Sequence, residues 1–207
     1  MSLIFHCFYK LLNIDILKKS GFKSVAQINA LRYLDFNVDE FLKRAKKAGY
    51  YDNTIFLFFG DHNTAMNPVS FLEKNESELG TVVHHVPFFI HAPKYVKSED
   101  ISRFTKLVDV VPTAASLANI NYTNYTLGSN ALDSINGPDF AFLYANINGE
   151  PAISLLQNDF YYTLTTVTNT ANLYDFNGKD LTDIKTKHPE VTKKMDSLLR
   201  GFYNATK

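Results

Sequence analysis

Residues 53–63 read NTIFLFFGDHN. Within them TIFLFF is a short continuous run of apolar and β-branched residues bounded by turn formers, the pattern of a strand buried on both faces, as in a parallel sheet. The run stops at Gly60, and an acid and an imidazole, Asp61 and His62, follow at once. Residues 24–48 precede it with a helical signature. Ser24 stands at the cap position, and Ile28, Leu31, Leu34, Phe41 and Leu42 recur near helical spacing. The basic stretch KRAKK leads to Gly49 and complements the negative end of the helix dipole. A helix feeding a buried strand is half of an α/β repeat.

The pass along the chain extends that reading. Residues 61–81 are polar and irregular and predict a loop at the carboxyl end of the strand, where open α/β sheets bind ligands. HVPFFIHAP (85–93) predicts a second buried strand stopped by Pro93, and KSEDISRFTK a short polar helix or turn. LVDVVPTAASLANI (107–120) predicts an extended start and then a helix from about Val111 with Pro112 in its first turn. Asp109 is expected to cap that helix. Beyond residue 121 the texture changes. A long loop gives way to FAFLYANI, PAISLLQ, DFYYTLTTV and ANLYDF, separated by Asn-Gly and Asn-Asp turn signals. Their alternation predicts an antiparallel sheet with one wet face. The closing stretch HPEVTKKMDSLLRGFYNA predicts an amphipathic helix over that sheet, with Val191, Met195, Leu198, Leu199 and Phe202 on one side. The expected fold class is thus α/β. A mostly parallel sheet flanked by helices occupies residues 1–135. A small antiparallel sheet with its helix occupies 136–207, as part of the same domain.

Composition removes several function classes. Lys plus Arg equals Asp plus Glu, 21 each, with no block of one sign, so nothing directs the chain to nucleic acid or an anionic surface. The single cysteine, Cys7, excludes an internal disulfide framework and a multi-cysteine zinc site. No run of about 18 apolar residues is present, so the sequence predicts no membrane span. The start, MSLIFHCFYKLLNIDILKK, has no basic region before its apolar part and no small-residue cleavage site. It reads as the start of a fragment rather than as a signal peptide. Four glycosylation-type triplets, at Asn75, Asn121, Asn124 and Asn204, are read as chance in an Asn-rich chain.

Asp and neutral His are good ligands for a divalent ion that polarises a phosphoryl or sulfuryl oxygen. Adjacent strand residues point to opposite faces, but a turn after Gly60 frees both side chains to converge. The competing reading of GDH is an ordinary solvated strand end. Five segments in order shift the balance: AKKAGYYDNTIFLFFGDHN, HHVPFFIHAP, KLVDVVPTAASLANI, NYTLGSNALD and the closing FYYTLTTVTNTANLYDFNGKDLTDIKTKHPE. Together, over about residues 25–205, they resemble the sulfatase-like branch of the alkaline phosphatase superfamily. The likeness is to the C-terminal half of proteins of the lipoteichoic acid synthase and phosphoglycerol transferase type.

That resemblance implies that Asp61 and His62 are metal ligands for Mn, Mg, Ca or Zn, with a phosphate or sulfate ester as substrate and no nucleic-acid partner. It implies that His85 is a further ligand or a substrate contact. His84 is the alternative, since only one of two adjacent strand residues can face the site. Each could also be a strand-end histidine bonded to backbone, and His91 reads as a packed residue. The glycine that the family places after Asp-His is Asn63 here, a residue that tolerates left-handed backbone. The family's nucleophile (a Thr, a Ser or a formylglycine-forming Cys) and a further acidic ligand lie upstream of the helix that begins near Ser24, and no such motif is present in this chain. Cys7 is followed by FYKLL rather than by x-P-x-R, and nothing marks Thr64 or Thr81 as activated. The expectation is therefore about half of a catalytic domain, holding its ion weakly and inactive alone. Its parent is expected to be anchored at the bacterial cell envelope through an upstream segment. The alternative is a non-catalytic fragment that keeps the fold and binds through its small sheet.

Overall fold

The structure is a computed structural model that describes residues 24–63, 76, 78–133, 139–147, 149–178 and 180–206. Cys7, Thr64 and Asn75 lie outside the described residues. The chain divides into two compact units. One comprises Met1–Glu73 with His85–Asp100, the other Lys74–His84 with Ile101–Lys207.

In the first unit, helix α1 (Val25–Lys47) begins where the sequence predicts, with the Ser24 hydroxyl accepting from the Gln27 N–H at 3.3 Å. Arg44, Lys46 and Lys47 occupy its last turn, where the carbonyl dipoles favour cations. Strand β1 (Phe56–Phe59) follows, and pairs with β2 (Phe88–His91). The pairing is antiparallel, Phe56 opposite His91 and Phe59 opposite Phe88, where a parallel sheet was expected. The reason is topological. The chain leaves β1 at Gly60 and enters β2 at that same end, so it must run back along its neighbour; a parallel partner needs a crossover to the opposite end. Burial on both faces is not reached either. Phe56 is buried, but Phe59 is 50% exposed. Both strands are shorter than their apolar runs, and no helix forms over residues 97–106.

In the second unit, a 3-10 turn at Leu107–Asp109 leads into α2 (Val110–Leu117). The Asp109 side chain makes no capping bond to α2, contrary to the expectation. It is buried and bonds elsewhere. One oxygen accepts from the Lys106 N–H (2.8 Å) and lies 3.0 Å from its ammonium, and the other accepts from the Ser129 N–H at 2.8 Å. Thr113 adds a second rung: its hydroxyl donates to the Asp109 carbonyl (2.6 Å) and accepts from the Ala131 N–H (2.9 Å). At Gly128 any Cβ would overlap the Val108 carbonyl, its carbon only 2.6 Å away, so the loop closes on this turn only with glycine. Residues 107–131 are thereby locked to one another.

The four-stranded sheet expected in the second half is present and wholly antiparallel. Its order is β3 (Ala141–Ile147), β4 (Glu150–Gln157), β5 (Phe160–Thr165), β6 (Ala171–Asp175). Asn158 adopts φ 51° in the β4–β5 turn, the left-handed conformation that Asn tolerates. The amphipathic helix α3 (Pro189–Ala205) covers one face. Met195 and Leu199 sit fully buried against Ile153, Leu155, Tyr162, Leu164 and Leu173, with Val191, Leu198 and Phe202 around them. The Tyr162 hydroxyl donates to Asp196 at 2.7 Å, and Arg200 pairs with the same carboxylate at 2.9 Å. Burial and that adjacent negative charge push the phenol's pKa well up, so it stays a donor. The other face holds Ala141, Leu156 and Tyr161 under Leu79 and Phe104, so the central strands β4 and β5 are buried on both faces where one wet face was expected.

Thr163 is an exception on that second face. It is 1% exposed, and its hydroxyl has no hydrogen-bond partner among the described residues. Burying an unpaired hydroxyl costs free energy that an isosteric methyl does not. Thr163→Val is expected to raise stability by about 1 kcal/mol, measured as the shift in urea midpoint at unchanged slope.

Candidate metal centre

The site is built at the end of β1. The Gly60 N–H donates to the Pro87 carbonyl at 3.1 Å, which holds the exit of β1 against the entry of β2. A Cβ on Gly60 would meet the Val86 Cβ at 3.0 Å, so the residue before the acid must be small for the two segments to approach this closely. The chain then turns, and Asp61 and His62 both project to solvent, with side chains 86% and 69% exposed. Asp61 accepts from the backbone N–H of His62 at 2.8 Å, and its other oxygen lies 3.7 Å from His62 Nε2. The turn thus brings the two side chains to one side, which a continued strand would prevent.

Two donors 3.7 Å apart can both reach a single ion at metal–ligand distances of about 2.0–2.2 Å. The donor set, one carboxylate oxygen and one imidazole nitrogen, suits a divalent ion of intermediate softness. The Asp61 carboxyl is held below the usual carboxylate range. Backbone N–H groups of His62 and of Asp61 itself bond to its ionised form, and the neighbouring imidazole adds a smaller attraction. It is therefore ionised, as a ligand must be. Among the described residues no group of three or more His, Cys, Asp or Glu converges for a metal ion.

The histidines before β2 differ from the expectation that one of them faces the site from a strand. Neither is in β2, which begins at Phe88. His84 closes the 3-10 turn Thr81–Val83 in a helical conformation, donating its N–H to the Thr81 carbonyl at 2.9 Å, and belongs to the second unit. His85 belongs to the first unit, and its carbonyl lies 3.5 Å from the Asn63 side-chain amide. Thr81 is buried, with its hydroxyl 3.4 Å from the Glu76 carbonyl. His91 is packed, as the sequence suggests. Its Nε2 lies 2.6 Å from the Tyr51 hydroxyl, and Lys46 sits 4.5 Å over the Tyr51 ring. Burial first, and the Lys46 charge second, push the His91 imidazole down from its usual pKa, which keeps it neutral. It pairs with Phe56, at the end of the strand pair remote from Asp61.

Two side-chain contacts have no signal in the sequence. At the site, the Asn63 side chain reaches across to the His85 carbonyl. At the far end of the strand pair, Tyr51 bonds His91, 40 residues away.

Residues 25–120 match the sulfatase family. The chain is 29% identical over 179 residues to lipoteichoic acid synthase 2 of Bacillus subtilis, covering 81% of this chain and 24% of that protein. It is 34% identical over 108 residues to lipoteichoic acid synthase of Staphylococcus aureus, covering 48% of this chain and 16% of that protein. Its fold superposes on the crystal structure of a putative sulfatase from Bacteroides thetaiotaomicron with a TM-score of 0.62 at 18% identity, over 84% of this chain and 41% of that one. The chain thus spans a quarter or less of the length of these curated relatives. Its similarities in sequence and in fold agree. Over the part of these proteins that it spans, the chain is similar to the sulfatase-like branch of the alkaline phosphatase superfamily.

Proposed function

We propose that Asp61 and His62 form half of a divalent-metal site in a larger hydrolase or transferase acting on phosphate or sulfate esters. The observation that carries this reading is the pair itself. An ionised carboxylate and an imidazole lie 3.7 Å apart on the turn that ends β1, within residues that match the sulfatase family. A divalent ion held there would act as a Lewis acid on a phosphoryl or sulfuryl oxygen. Mn and Zn suit an imidazole-containing set better than Mg or Ca. His85, in the same unit and bonded through its carbonyl to Asn63, is the better candidate for a further ligand or a contact to the substrate's anionic oxygens. His84 is the alternative.

Similarity to two lipoteichoic acid synthases supports phosphoglycerol-type transfer to a surface glycopolymer as the activity of the whole protein, at the bacterial cell envelope. Sulfate ester hydrolysis is the second reading, favoured by the fold shared with the putative sulfatase. Among the described residues no helix is long and apolar enough to cross a membrane. In this proposal the anchor of the whole protein lies upstream.

A divalent ion takes about four to six ligands, and two or three residues offer too few for tight binding. This chain alone is therefore expected to bind metal weakly and to turn over nothing. The test is metal content, by elemental analysis after equilibration with Mn²⁺, Mg²⁺ and Zn²⁺ in turn. Metal should be taken up by the chain, and Asp61→Ala should lower its affinity about tenfold or more. Equal uptake by the variant, or none by the parent chain, overturns the half-site. Hydrolysis of p-nitrophenyl phosphate or sulfate that disappears in Asp61→Ala would instead show that the chain is catalytically complete.

A further inference from the structure

Two side-chain bonds pin the connection between α1 and β1 to the end of β2, and only one of them changes charge near neutral pH. The 3-10 turn Tyr51–Asn53 makes that connection. Its last residue, Asn53, accepts from the Tyr95 hydroxyl at 3.2 Å. Its first, Tyr51, brings its hydroxyl to 2.6 Å from His91 Nε2. His91 ends β2 and stands opposite Phe56, which begins β1. The Tyr51–His91 bond therefore closes the strand pair at the end away from Asp61.

The surroundings of the imidazole favour its neutral form. Its centroid lies 5.5 Å from that of the Tyr51 ring and 6.1 Å from that of Phe56, which packs in turn against Phe41 of α1. Lys46, in the last turn of α1, holds its ammonium 4.5 Å from the Tyr51 ring centroid. Burial first, and that charge second, disfavour a proton on the ring. The other elements bring no compensating acid. β1 faces His91 with the uncharged Phe56, Asp52 in the turn is exposed, and Lys94, beyond β2, lies 6.0 Å over the Tyr95 ring.

We propose that Tyr51 and His91 form an acid-sensitive clasp that holds the α1–β1 connection to β2. With the imidazole neutral, the phenol donates to Nε2. Protonation turns Nε2 into a donor, so the phenol must direct its own proton elsewhere. A second cation then lies against the ring that already carries Lys46. The unfolded chain takes up this proton more readily than the folded one. The stability that the clasp adds is thus present in full above about pH 6.5 and is lost as pH falls below it. The Asn53–Tyr95 bond joins groups that stay uncharged in this range and holds throughout. None of this depends on the metal pair.

NMR titration of the chain tests the clasp directly. The His91 imidazole should titrate below the ordinary histidine range. Tyr51→Phe and Lys46→Gln should each move that titration upward, because each removes a group that favours the neutral ring. The urea midpoint should fall between about pH 7.5 and 5.5, and should fall less in His91→Gln, which carries no charge at either pH. The remaining histidines titrate in both proteins and cancel in the comparison. Amides of β1 and β2 should lose protection over the same range, after correction for the intrinsic pH dependence of exchange, while those of β4 and β5 keep theirs. Tyr95→Phe should lower stability equally at both pH values. An imidazole that titrates at or above the ordinary value overturns the proposal. So does a titration that neither variant moves, or a pH dependence of the urea midpoint that His91→Gln leaves unchanged.

Discussion

Replacing Asp109 by Ala is expected to destabilise the second unit by roughly 3–5 kcal/mol. The carboxylate is 1% exposed and holds three groups. These are the Lys106 N–H, the Lys106 ammonium, whose side chain is only 9% exposed, and the Ser129 N–H. Removing it leaves a buried cation without its counter-charge and two backbone donors without acceptors, and the first of these costs most. The Phe140 ring, 5.2 Å beneath the ammonium, offsets little of that. Asp109→Asn should fall between the two. It keeps one acceptor oxygen for a backbone N–H but turns an amide donor or a neutral carbonyl toward the ammonium. Chemical denaturation followed by circular dichroism measures both variants. A loss below about 1 kcal/mol for Asp109→Ala, the scale of an exposed pair, would show that Lys106 reaches water and that the lock is not closed.

Gly128→Ala is expected to be about as damaging for a different reason. The added methyl would collide with main chain, at the Val108 carbonyl, rather than with a side chain able to rotate away. Accommodating it means separating residues 126–130 from the turn at 107–109. That puts the Asp109–Ser129 bonds at risk, beyond the roughly 1–3 kcal/mol usual for overpacking. Because the two substitutions strain one structure, their effects should not add. The double variant should lose less than the sum of the singles by about 1 kcal/mol or more. An additive double variant would mean that Gly128 and Asp109 act separately.

These expectations change how the sequence motifs are read. KLVDVVPT and LGSNALD were among the segments that carried the family resemblance. In the structure they are the two sides of one buried hydrogen-bonded lock, through Asp109, Thr113, Gly128, Ser129 and Ala131. In this chain those two segments serve packing, whereas the metal pair of the proposal lies in GDH.

Several elements were legible from the sequence because their causes are local. Ser24 caps α1, the basic residues close it, and Val191, Met195, Leu198, Leu199 and Phe202 recur at helical spacing on one side of α3. The β-strands of the second half follow from short β-prone runs broken by Asn-containing turns, one of which adopts the left-handed backbone that Asn permits, but the wet face read from their alternation is absent in β4 and β5. The turn that allows Asp61 and His62 to converge follows from a glycine ending an apolar run. Tertiary structure decided the rest. TIFLFF and PFFIHA have the composition of strands buried on both faces, but composition carries no direction; their antiparallel pairing follows from where the chain returns, which local propensity does not encode. Asp109 looks like a helix cap because its neighbours in sequence form a helix. Its actual partners include Ser129, 20 residues away, and no short-range pattern announces a bond of that span. The sequence reading sets His84 and His85 on opposite faces of a strand. The structure places both before β2, which starts at Phe88, because a strand's limits are set by the partner it pairs with.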